Sequence, residues 1–137
     1  FSDEILNVIY AVLSNISPDK LEGKSYLECA ELFYIEGYYD TAASNAGRAF
    51  EDAINELCKK YNQFSNQKDN IAFQKNTSLD DKIAWLYKFK VVKREFTIEE
   101  LREVKELRND ASHPWKHVFK KEEVEKMMII TKRMKEV

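Results

Sequence analysis

The segment Arg108-Asn109-Asp110-Ala111-Ser112-His113, followed by Pro114, brings together two groups suited to phosphate chemistry. A guanidinium is a permanent cation whose planar fork matches a phosphate. Histidine exchanges protons near neutral pH. Five positions separate Arg108 from His113, a spacing that sets both on one edge at a helix end. Asn109 and Ser112 add hydrogen-bonding groups on the same turn. The chemistry these residue types fit is the handling of a phosphodiester, with RNA cleavage as its sharpest form.

A helix must carry this segment. Thr97-Ile98-Glu99-Glu100 reads as a capping box, and from it Ile98, Leu101, Val104 and Ala111 fall on one apolar arc at about 100° per residue. Arg108 lies inside that arc, whereas Arg102 lies on the polar side. A cation on a buried face needs an ionic partner or a cavity to face. Glu51, Asp52 or an acid on another helix is the expected partner if the role is structural. Proline disfavours helical geometry in the residue before it, so the helix should end near Ser112 or His113, where the helix dipole favours positive charge. Trp115 serves either as a core anchor or as a platform on which a base stacks.

The rest of the chain also reads as helix. Ile5, Val8, Ile9, Val12 and Leu13 predict a first helix over about residues 3–15. Ser17-Pro18 reads as N-cap and first position of a second helix, running through Leu21, Leu27, Leu32 and Phe33 towards Gly37. A third runs from Tyr38 to near Tyr61, and its Ala42, Ala46, Gly47, Ala49 and Ala53 leave room for a neighbour to approach closely. Residues 62–77, rich in Asn, Gln, Ser and Lys, predict a flexible loop. Thr77 or Ser78 then caps a helix through Ile83, Trp85, Leu86 and Phe89. A last helix over about residues 121–135 turns Val124, Met127, Met128 and Thr131 inward. The expected fold is all-α, a bundle of four to five helices, in one domain over residues 1–137, either whole or a fragment of a longer protein.

Composition narrows the function classes. The net charge is −2, which is not the footprint of a protein that binds nucleic acid through bulk positive charge. The charge is unevenly spread: residues 1–62 hold 11 acids and 5 bases, and residues 63–137 hold 13 acids and 17 bases. Lys88, Lys90, Lys93 and Arg94, with Lys116, Lys120 and Lys121, form either a solvated surface or a field that steers a polyanion. Cys29 and Cys58 lack metal-ligand spacing and read as buried thiols, which points to a cytoplasmic setting. His113 and His117 have an H-x-x-x-H spacing, but Pro114 breaks the helix that a zinc pair would need. There is no phosphate-cradling glycine loop, no G-x-S-x-G elbow and no apolar run of membrane-spanning length. Neither a metal nor a cofactor is expected.

Arg-Asn-x-x-x-His at the end of a penultimate helix, in the stretch LREVKELRNDASHP from Leu101 to Pro114, resembles the signature of HEPN domains (higher eukaryotes and prokaryotes nucleotide-binding). Gly37-Tyr38-Tyr39-Asp40-Thr41-Ala42, with Gly47-Arg48-Ala49-Phe50-Glu51, is similar to a second block of that family. The resemblance spans roughly residues 25–135. It implies a helical bundle that pairs into a homodimer, with RNA as the partner and a composite site at the dimer seam. Many members of the family are metal-independent endoribonucleases acting in defence, toxin or RNA-processing roles, with an antitoxin or a fused domain as a further partner.

The resemblance assigns Arg108 and His113 as the catalytic pair, with Asn109 as the polar residue beside them. Arg48 and Glu51 become a supporting ion pair or site wall; apart from the resemblance, Asp110, Ser112 and Trp115 are candidate supporting or substrate-binding residues by their place beside the pair in the chain. Antitoxin-paired toxins of the family often carry tyrosine two places after the histidine; Trp115 stands there. Other members are noncatalytic modules that bind RNA or a nucleotide, or pair subunits of larger machines, and the motif alone does not separate the two.

Overall fold

The computed structural model describes residues 9, 21, 23–62, 77–88, 91–92, 96–113 and 117–137. Among them every regular element is an α-helix: α1 (Tyr26–Ile35), α2 (Tyr39–Asn62), α3 (Leu79–Lys88), α4 (Ile98–Ala111) and α5 (Lys121–Lys135). Of the expected first helix over residues 3–15 only Ile9 is described, and it is helical; the rest of that helix, the body of the 62–77 loop, Lys90, Lys93, Arg94, Lys116 and Trp115 lie outside the described residues.

The helix expected to run from Ser17-Pro18 to Gly37 instead starts at Tyr26. Gly23 sits at φ 72°, a left-handed conformation that interrupts a helix and that glycine adopts at little cost. Ser25 then restarts it: its hydroxyl accepts the Glu28 N–H at 3.1 Å, and the Glu28 carboxylate accepts the Ser25 N–H at 3.1 Å. This reciprocal capping box satisfies donors that the first helical turn would leave open. Gly37, at φ 85°, ends α1 and lets the chain reverse into α2.

The long helix α2 is central and packs against α1, α3, α4 and α5. Its inner surface is small: Ala42, Ala43, Ala46, Ala49 and Ala53 are buried, with Phe50, Ile54 and Leu57 as the bulky anchors. Short side chains let neighbouring helices close on it, while the anchors bury the apolar area that drives the packing. On α5, Val124, Met127, Met128 and Thr131 are buried as their spacing predicts. On α3, Ser78 rather than Thr77 is the cap, its hydroxyl accepting the Asp81 N–H.

Helix α4 carries the Arg–His segment. Thr97 caps it, accepting the Glu100 N–H at 3.1 Å. The return bond of the expected capping box is not formed: Glu100 Oε2 is buried without a hydrogen-bond partner among the described residues. Leu101, Val104 and Leu107 are buried, which fixes the rotation of the helix and turns Arg108 towards α2. The helix stops with Ser112 as C-cap, and the His113 N–H donates to the Asp110 carbonyl at 2.9 Å.

Candidate functional site

The site is built where α4 crosses α2 at its closest approach. A Cβ placed on Gly47 would lie 2.8 Å from Arg108 Cγ, 3.1 Å from its Cβ and 3.3 Å from its Cα. Only glycine lets the two backbones come this near, so the stem of Arg108 rests directly on the backbone of α2. One turn further along α2, Glu51 meets the guanidinium, with Arg108 Nη2–H donating to Glu51 Oε2 at 2.5 Å. Asn109 receives the other arm, Arg108 Nη1–H to Asn109 Oδ1 at 3.1 Å. The arginine is thus held along its length by a glycine contact, a carboxylate and an amide.

This pair is not sealed in the core. The side chains of Arg108 and Glu51 keep 32% and 27% of their surface exposed, on a cavity of about 160 Å³ lined by Ser44, Arg48, Glu51, Arg108, Ala111 and Ser112. Arg48, on the same face of α2, adds a second cation to this wall, and its Cζ lies 5.6 Å from the centroid of the Tyr26 ring. Burial raises the Asp52 carboxyl above its ordinary range, and nearby Arg48 pulls it part of the way back. Each arginine therefore has a carboxylate of α2 within electrostatic reach.

The structure brings some of the sequence-predicted residues together and separates others. Arg108, Asn109, Glu51, Arg48 and Ser112 meet at the cavity or at its guanidinium. Ser112 lines it while its hydroxyl turns back to the Arg108 carbonyl at 3.4 Å. His113 is exposed at the end of α4 and is not part of the cavity lining. Asp110 faces away, towards His117.

The contacts of His117 and Phe119 carry no signal in the sequence. His117 Nε2 lies 2.9 Å from Glu123 Oε2, and His117 Nδ1 lies 3.6 Å from Asp110 Oδ2. The ring packs edge-on against Phe119, with centroids 4.5 Å apart. The Phe119 N–H donates to Asp40 Oδ1 at 3.0 Å. The end of α4, the start of α5 and the start of α2 are thus tied together beside the Arg–His segment. Burial acts to raise the Glu123 carboxyl, but the Lys120 N–H and His117 outweigh it and hold the group below its ordinary value. Asp40 to Phe119 is a long-range contact through a backbone donor, and spacing along the chain carries no signal of it.

Chemically, a fixed guanidinium on a polar cavity can bind a phosphoryl oxygen, and the His113 imidazole at the end of the same helix can carry a proton. Among the described residues no helix is long and apolar enough to cross a membrane. Comparison of the chain with protein-family models, with curated proteins and with solved structures returned no match.

Proposed function

We propose that this protein is a HEPN-type, metal-independent endoribonuclease. The observation that carries the reading is the Arg108 guanidinium, held by Gly47 and Asn109 on the wall of a polar cavity, with His113 following at the end of the same helix. In the proposed reaction an RNA 2′-oxygen attacks the adjacent phosphorus. The 2′-O–P bond forms and the P–O5′ bond breaks, leaving a 2′,3′-cyclic phosphate and a free 5′-hydroxyl. His113 takes the 2′-OH proton as general base, and Arg108 stabilises charge on the phosphoryl oxygens. The proton needed by the 5′-oxygen comes from His113 of a second copy, across a two-fold seam. The exposed position of His113, outside the cavity of its own protomer, supports a site completed in this way. Ser112 and Arg48 line the path of the strand, and Trp115 is kept as a candidate stacking residue. A cytoplasmic role in defence, as a toxin or in RNA processing goes with this reading, with an antitoxin or a fused domain as a further partner.

One observation favours a second reading. Arg108 is already engaged by Glu51, as it would be in a noncatalytic module that binds RNA or a nucleotide, or that pairs subunits. Incubation of mixed cellular RNA with the protein in excess EDTA separates the two. Cleavage by the wild type, leaving 2′,3′-cyclic ends, and a loss of at least about a hundredfold in Arg108→Ala and His113→Ala are expected for the enzyme. A folded wild-type protein that leaves RNA intact, and whose binding needs Arg108 but not His113, supports the module instead.

A further inference from the structure

The cavity at Arg108 holds a carboxylate against its guanidinium. Four features define its state. The arginine stem is immobilised against Gly47, and Nη1 is anchored by Asn109, the next residue on its own helix. Nη2 is taken by Glu51 at 2.5 Å. Glu51 itself stands on the cavity wall, partly exposed. Of the groups holding the guanidinium, Glu51 is the one whose side chain lines the cavity, so it can swing into that space without moving either helix.

The charges point the same way. Arg48 and Arg108 supply two cations at the cavity, but Glu51 contacts one and Asp52 acts on the other. With a carboxylate beside each arginine, the cluster offers an incoming anion little net attraction. A phosphodiester oxygen that reached Nη2 would also come against the Glu51 carboxylate, and two anions cannot share that donor without repulsion. Once Glu51 swings aside, Nη2 opens into the same cavity that Arg48 lines, while Asn109 and Gly47 keep the guanidinium in place.

We propose that Glu51 is a carboxylate gate, occupying on Arg108 the position that a phosphodiester takes, so that the site is self-capped until Glu51 is displaced. The proposal rests on the reading of this cavity as a phosphate site. It makes Glu51 a restraint on binding rather than a support for it, which is opposite in sign to a merely structural ion pair.

A fluorescein-labelled oligodeoxynucleotide tests it, because without a 2′-hydroxyl it binds and cannot be cut. Fluorescence anisotropy should show Glu51→Gln binding roughly tenfold more tightly than wild type, equivalent to about 1.4 kcal/mol. Glu56→Gln removes the same charge elsewhere on α2 and should change the affinity far less. The gain should vanish when Glu51→Gln is combined with Arg108→Ala, since the coupling runs through that guanidinium. Binding by Glu51→Gln that is unchanged or weaker overturns the gate, and so does a gain that persists without Arg108. If circular dichroism shows Glu51→Gln unfolded, Glu51→Asp, which keeps the charge and shortens the reach, decides the matter: tighter binding upholds the gate and equal or weaker binding overturns it. RNA cleavage measured in parallel keeps the two readings apart. Tighter binding with no cleavage removes the ribonuclease and leaves the gate, whereas cleavage without tighter binding does the reverse.

Discussion

A single missing side chain decides where Arg108 can sit. Alanine at position 47 would suit the interior of α2 better than glycine by about 1 kcal/mol of helix propensity. Its methyl group would, however, lie 2.8 Å from Arg108 Cγ and 3.3 Å from Arg108 Cα. The backbone atom cannot move away without shifting α4, and overpacking of this kind costs about 1–3 kcal/mol. Gly47→Ala is therefore expected to lower stability by about 1 kcal/mol net in urea unfolding and to pull the guanidinium off Glu51. A stabilised Gly47→Ala would show that the two helices are not in tight contact there. The sequence marks Gly47 as a small residue in an alanine stripe, and it marks Arg108 as a cation on an apolar arc. That the two meet belongs to the helix crossing, which no spacing along one helix reveals. Glu51 as the acidic partner was one of several carboxylates open from the sequence, and only the packing of α4 on α2 chooses it.

At the scale of the helices, the ends show why some boundaries were readable and others were not. Thr97 and the proline after His113 are local signals, and α4 begins and ends where they place it. The break before Tyr26 is local too, since Gly23 and the Ser25–Glu28 box mark it, but the apolar spacing of Leu21 and Leu27 masks it with an apparently continuous helix. The contacts that the Lys120 N–H and His117 make with Glu123 join the loop to the start of α5 and carry a definite pH dependence. The Glu123 carboxyl lies below its ordinary value of 4.5 in the folded chain. The folded state therefore binds the proton less tightly than the unfolded one. The stabilisation from this group is present above the unfolded value and is lost as pH falls through the folded one. Urea midpoints should drop as pH falls below the ordinary carboxylate value of 4.5, and Glu123→Gln should flatten that slope while lowering stability near neutrality. An unchanged slope in Glu123→Gln would mean that the clasp adds nothing to the fold.

For the whole molecule, the core is assembled around α2, and both cysteines lie within it. Cys29 and Cys58 are buried as free thiols; burial raises both, Cys58 to about 11. Because the thiolate is the reactive species, neither should react quickly with a thiol reagent at about pH 8 in the native state, and both should react once the chain is unfolded in denaturant. Rapid native labelling of Cys58 would contradict the packing of the α2 C-terminal half. Helical periodicity, alanine content and caps already imply an all-helical chain and its inward faces, because side-chain spacing and local hydrogen bonding are properties of short segments. The chemical types at the Arg–His segment were equally legible. Which carboxylate meets Arg108, which residues wall the cavity, where Asp110 turns and why position 47 carries no side chain were settled only in three dimensions. Those are contacts between segments distant in the chain, set by how closely α4 can lie on α2, and a linear pattern holds no record of that distance.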